Sequence, residues 1–153
     1  MAFLPETGLV YIPVQDAAFP YFEDANFEPT ALGFNTGVDF NSGSMPQVPE
    51  VKAQIMSGIE GFLLAWDPVA RKPVWEQRQG GSRSGVMTTA GNLVFQGASE
   101  TPPGTQPGPG VPSEPVFAAF RADTGEKVWS MKTQAQIVGG SASYEIDGEQ
   151  YVA

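Results

Sequence analysis

Short apolar runs, each closed by a turn, set the rhythm of this chain. Gly8 to Gln15 (GLVYIPVQ) follows the turn-like Glu6-Thr7-Gly8 and is rich in β-branched and aromatic residues, which predicts a buried strand. Phe62 to Trp66 and Pro73 to Glu76 predict two more strands around a turn that begins at Asp67-Pro68. Val86 to Thr89 and Leu93 to Gln96 flank Ala90-Gly91-Asn92, and Val116 to Phe120 and Lys127 to Met131 flank Asp123-Thr124-Gly125-Glu126. Ala142 to Ile146 and Gln150 to Val152 flank Asp147-Gly148, a dipeptide that favours a tight hairpin. Only residues 49 to 59 carry helical spacing: Val51, Ile55 and Ile59 lie four apart behind Pro49-Glu50, and Gly58 and Gly61 end the run. From Asp16 to Gln47 there is little periodicity, and Phe19, Tyr21, Phe22, Phe27, Phe34 and Phe40 are scattered among Asn, Asp, Gly and Pro. A loop this long is either functional or pinned by its own aromatics.

An internal repeat organises these strands. Ala65 to Trp75 (AWDPVARKPVW) and Ala119 to Trp129 (AFRADTGEKVW) align without a gap, each reading Ala-aromatic, a turn, then Val-Trp. The offset of roughly 50 residues falls in the range where repeats mark propeller blades. Four short strands fit between equivalent points, which makes one blade. In such a blade the alanine sits where nothing larger fits against the next blade, and the tryptophan buries its flat face across the boundary. The alternative is two unrelated hairpins, because the turns differ: the first lacks the glycine found at Gly125 and has Asp67 where the second has Arg121.

Composition narrows the chemistry. The 153 residues contain no His and no Cys, so an imidazole-based hydrolase triad, a Cys/His zinc site and covalent haem attachment are all excluded. Any chemistry must use carboxylates, amides, Arg or a borrowed cofactor. A net charge of −9 opposes phosphate-backbone binding, so no nucleic-acid partner is expected. Eighteen Gly and 14 Pro beside a 41% hydrophobic fraction fit a turn-rich, core-forming β chain. Length alone suggests one domain. The N-terminus has neither a basic region nor a long apolar run, so no signal peptide or anchor is expected within it.

These residues resemble the tryptophan-docking repeats of the eight-bladed quinoprotein alcohol dehydrogenases, which use pyrroloquinoline quinone. Thr7 to Pro13, Gly37 to Phe40, Gly61 to Val69, Thr89 to Gly97 and Tyr144 to Ala153 are similar to that family's later blades, in order, across essentially the whole chain. The resemblance implies an all-β fold: about two to three blades of a partial eight-bladed β-propeller, a C-terminal portion of one domain. It further implies oxidation of a small alcohol, calcium as Lewis acid, electron transfer to a cytochrome c or membrane quinone, and a periplasmic setting. The catalytic Asp and the calcium ligands would lie in other blades, so the isolated chain is expected to be inactive, with the remaining blades as its partners. Two positions correspond to cofactor contacts in the family: Gln15, a polar amide at the end of a strand, and Arg83. Arg83 lies in a stretch, Gly81 to Thr89, where the family has a Trp before a Gly-Gly pair; its guanidinium could pair instead with a quinone carboxylate. Both positions also admit plain roles, as a loop-satisfying amide and a solvated turn residue. A non-enzymatic propeller scaffold with the same blade motif remains the alternative function.

Other signals carry less. Gly80 to Gly85 is Gly-rich, but no helix follows to complete a phosphate cradle. Glu23 to Glu28 lacks the spacing of a calcium loop. Arg71, Lys72, Arg78 and Arg83 read as a charged blade rim. Residues 100 to 115 hold six Pro and three Gly and read as an extended excursion between two blade strands.

Overall fold

The computed structural model describes residues 1–17, 21–33, 35–39, 42–44, 46–57, 60–79, 84–100 and 114–153. Two four-stranded antiparallel meanders follow each other along the chain. The first contains β1 (Ala2–Leu4), β2 (Leu9–Asp16), β3 (Glu60–Asp67) and β4 (Lys72–Gln79); the second contains β5 (Val86–Thr89), β6 (Leu93–Glu100), β7 (Glu114–Arg121) and β8 (Lys127–Lys132). A two-stranded sheet of β9 (Ser143–Ile146) and β10 (Glu149–Val152) begins a third unit. The helix α1 (Pro49–Ser57) interrupts the β2–β3 connection and carries Val51 and Ile55 of the four-residue spacing, while Gly58 and Ile59 lie outside the described residues. The architecture is a partial β-propeller with two whole blades. Strand β1 has no counterpart in the sequence reading, because three residues are too few to show alternation; only the following Pro5 to Gly8 turn marks it.

The repeat is geometrical as well as sequential. Ala65 pairs with Trp75 and Ala119 with Trp129, and each third strand carries its register shift at the same place, after Ala65 and after Ala119. Arg71 adopts φ 56° where the equivalent Gly125 adopts φ 75°. The two turns therefore share one left-handed conformation despite their different residues, so the unrelated-hairpin alternative falls. Asp67 supports the glycine-free turn by accepting from the backbone N–H groups of Val69 and Ala70 at 2.8 and 2.9 Å. Pairing also lines up Tyr11–Ala65–Trp75 across the first blade and Phe95–Ala119–Trp129 across the second.

The core lies between the blades. Leu4, Leu9, Tyr11, Leu63 and Ala65 of the first blade meet Val94, Ala118, Phe120 and Ala122 of the second, with Trp75 and Val86 packed against them. Because side chains alternate faces along a strand, the Tyr11–Ala65–Trp75 row turns toward the second blade as a unit. Gly125 lies under the indole: a Cβ there would stand 2.7 Å from two ring carbons of Trp75, so glycine permits both the turn and the contact. The inner strands are linked too, since the Thr88 hydroxyl donates to the Phe3 carbonyl at 3.3 Å.

The long loop is closed by backbone pairing among its described residues. Among its described aromatics, Tyr21, Phe22 and Phe27 are exposed and pin nothing; a backbone bridge between Glu23 and Val38, with Asp24 N–H donating to Gly37 and Asp39 N–H to Phe22, closes it. Phe19, Phe34 and Phe40 lie outside the described residues.

Candidate functional site

Strand alternation sorts the connections onto two ends of the blades. Turns 5–8, 68–71, 90–92, 122–126 and 147–148 are short and share one end. The connections 17–59, 80–85, 101–113 and 133–142 are longer and share the other. Rigid strands carrying long loops at one end are the usual place for a binding site. That end is the candidate site.

Gln15, the penultimate residue of β2, lies there. It pairs with Gly61, which in turn pairs with Gln79, so the three form a row across the first blade at its long-loop end. The Gln15 side chain is exposed. Both amide atoms of Gln79 are enclosed without a hydrogen-bond partner among the described residues, an unfavourable arrangement that an added donor and acceptor would relieve. Arg83 lies outside the described residues, in the connection that leaves Gln79 for β5. The structure thus puts Gln15 at the long-loop end, and the reading of Arg83 falls outside the described residues. Among the described residues no group of three or more Asp and Glu side chains comes together.

At the entry to the inner strands, polar groups are organised around Ser84. Its hydroxyl donates to the Gly85 carbonyl at 2.9 Å, with the Gly139 carbonyl at 3.4 Å, and accepts from Gly97 N–H at 3.1 Å. Gly85 N–H donates to Gly139 at 3.2 Å, which ties the second blade to the connection entering the third. Gly97 is required by contact, since a Cβ would stand 2.5 Å from Ile137 Cβ. Ser84 is buried, as is Gln96 in the adjoining strand. Sequence reasoning missed both residues; the available signal was a polar residue inside an apolar run, as in Val94-Phe95-Gln96. At the base of the 100–115 excursion, Glu100 pairs with Glu114, and residues 101–113 are outside the described set.

The opposite, short-turn end is structural. Arg121 grips Asp123 through Nε and Nη2 at 3.1 and 3.0 Å, and this hydrogen bonding lowers the Asp123 carboxyl to about 2. Burial raises the Tyr11 phenol, whose hydroxyl donates to Ala122 at 3.0 Å and shares a 2.8 Å hydrogen bond with Thr7.

Comparison with known proteins fits this layout. Residues 61–152 match the family model described as the β-propeller domain of PQQ glucose/ethanol/alcohol dehydrogenases. The dehydrogenase subunit of the alcohol dehydrogenase (quinone) of Acetobacter aceti is 32% identical over 155 residues, which span 100% of this chain and 19% of the relative. The solved quinohemoprotein alcohol dehydrogenase ADHIIG of Pseudomonas putida HK5 superposes with a TM-score of 0.74 at 31% identity, covering 99% of this chain and 20% of that one. The crystal structure of the Comamonas testosteroni quinohemoprotein alcohol dehydrogenase gives a TM-score of 0.68 at 31% identity, over 99% and 21% of the two chains. The chain spans about a fifth of the length of these relatives. Its paired blades, docked indole and matched residues agree: the chain belongs to the PQQ alcohol dehydrogenase β-propeller family.

Proposed function

We propose that these blades form the later part of an alcohol-oxidising quinoprotein propeller, with the long-loop end turned toward the cofactor. The observation that supports this reading is the row of Gln15, Gly61 and Gln79 at that end, in a chain whose relatives are quinone-dependent alcohol dehydrogenases. Pyrroloquinoline quinone, when bound, supplies the acceptor for the two electrons the alcohol loses. The residues present suit that group: an exposed amide such as Gln15 offers donors and an acceptor to carbonyl and carboxylate oxygens, and Arg83 offers a fork to a carboxylate. The role of this chain is then to wall and orient, with Ser84 and its glycine neighbours fixing the inner-strand entries. On this reading calcium and the base are held by other blades, a cytochrome c or membrane quinone takes the electrons, the setting is periplasmic, and residues 1–153 alone are inactive.

The test is a chimera in which residues 1–153 replace the matching segment of a full-length relative. Quinone- and calcium-dependent alcohol oxidation is expected, with Gln15→Ala and Arg83→Ala each weakening quinone binding several-fold. A chimera that folds yet gives no spectral change and no thermal stabilisation with quinone plus calcium would overturn the reading. That outcome would favour a non-enzymatic scaffold, toward which the absence of a Trp in residues 81–85 leans.

A further inference from the structure

We propose that Ser84 is a positioning residue for the quinone: its buried hydroxyl locks the entry of inner strand β5 at the long-loop end, and that lock sets how tightly the cofactor is held. The proposal rests on the cofactor reading above and adds a residue to it. Ser84 and Gly85 close the connection from β4 to β5. Strand β5 pairs with β6 from Thr89 opposite Leu93 to Val86 opposite Gln96. At the next step, where an antiparallel ladder would offer a main-chain carbonyl, the Gly97 N–H donates to the Ser84 hydroxyl at 3.1 Å. The Gly85 N–H turns the other way, to the Gly139 carbonyl at 3.2 Å. Ser84 therefore marks the point at which the inner strand leaves its own blade and joins the connection to β9. With one proton and two lone pairs, its hydroxyl gives to Gly85, with Gly139 in reach, while it takes from Gly97.

The surroundings are main chain packed on main chain. A Cβ on Gly97 would stand 3.0 Å from Ser84 Oγ and 2.5 Å from Ile137 Cβ, and one on Gly85 would stand 2.7 Å from Gly140 Cα. Ser84 itself is 2% exposed, so solvent does not take over its hydrogen bonds when the hydroxyl is removed. Location gives the lock its function. The short-turn end is fastened separately, by the Ala122 carbonyl that accepts from Tyr11 and Trp75. Ser84 fastens the end that carries the long connections, on a strand already tied to β1 of the first blade through Thr88 and Phe3. Its neighbour in the chain, Arg83, is the residue that the cofactor reading assigns to a quinone carboxylate. A planar, multiply charged quinone is held by groups whose placement matters to a fraction of an ångström, so an unlocked entry weakens binding without removing a contact.

The test uses the full-length chimera with Ser84→Ala and with Ser84→Cys, which keeps the shape but hydrogen-bonds weakly. Ser84→Ala is expected to raise the quinone dissociation constant about tenfold while the maximal rate at saturating quinone stays within about twofold, and Ser84→Cys should fall between it and the parent. Without quinone, hydrogen exchange of the peptide from Leu93 to Glu100 should quicken about tenfold in Ser84→Ala, as read by mass spectrometry. Trp75→Phe, which loosens the short-turn end, should leave the quinone dissociation constant unchanged. A merely structural role would lower the folded fraction, and with it the maximal rate, without moving the dissociation constant. Equal quinone binding in parent and Ser84 variants, an equal weakening by Trp75→Phe, or unchanged exchange in Ser84→Ala would each overturn the proposal alone. A parent chimera that folds and binds no quinone would overturn the cofactor reading and this proposal with it.

Discussion

The Trp75 indole donates to the Ala122 carbonyl oxygen at 2.9 Å, across the boundary between two blades. Tyr11 donates to the same oxygen at 3.0 Å, so one acceptor with two lone pairs takes both of the polar handles that the first blade extends. The surrounding aromatic contact is close, with ring centroids of Tyr11 and Trp75 5.7 Å apart. The blade boundary is thus a hydrophobic contact aligned by a shared hydrogen-bond acceptor.

Removing this anchor has a graded cost. Trp75→Ala should destabilise by about 3 kcal/mol through lost packing, and Trp75→Phe by about 1 kcal/mol through the lost hydrogen bond. Tyr11→Phe should cost a similar ~1 kcal/mol, but the Tyr11→Phe/Trp75→Phe pair should exceed the sum, because only then is the carbonyl orphaned. Urea unfolding of the four proteins measures the coupling; simple additivity would contradict the shared-acceptor account.

Gly125 and Arg71 should respond in opposite directions. Gly125→Ala combines an unfavourable φ with a methyl group 2.7 Å from the Trp75 ring, and should cost about 2 to 4 kcal/mol. Arg71→Gly relieves the same backbone conformation at an exposed turn and should be neutral or stabilising by under about 1 kcal/mol. Thermal melts of both variants suffice, and a tolerated Gly125→Ala would mean the indole does not rest where it is placed.

Alkaline stability should depend on Tyr11. Its folded pKa is raised by burial, so its contribution is fully present below the ordinary tyrosine value near 10 and is lost as pH rises through the folded value. The stability of the parent chain should therefore fall in that window, and Tyr11→Phe should flatten the fall. Equal alkaline slopes in parent and variant would count against this.

Acid titration isolates the Arg121–Asp123 pair. With the folded carboxyl near 2, its contribution is present above the usual Asp range near 4 and disappears as pH falls through about 2. Arg121→Ala should return the Asp123 carboxyl toward its ordinary value, as read by carbon NMR titration. Because both groups are exposed at the turn, global stability near neutral pH should barely change.

Much of the fold was legible because it is local. The hairpins around Asn92, Gly125 and Asp147-Gly148 follow from turn chemistry, and the structure places all three in positive-φ turns. The helix followed from its four-residue spacing. Strand β1 escaped because it is short, and the closure of the 17–59 connection escaped because backbone pairing between Glu23 and Val38 leaves no mark on side-chain pattern. At the long-loop end, Gln15 could be named as a polar strand end, but Ser84 could not. Its importance comes from bringing Gly97 and Gly139, distant in sequence, to one hydroxyl.

By itself the sequence determined that the chain is a β repeat without imidazole or thiol chemistry, since periodicity, turn residues and composition are properties of neighbouring positions. The tertiary structure decided that Arg71 and Gly125 occupy one conformation, that the Trp75 indole and the Tyr11 hydroxyl share the Ala122 carbonyl, and that the long connections leave the described strands at one end. Those outcomes depend on which surfaces meet across a blade boundary, and identical Val-Trp motifs carry no record of what lies opposite them.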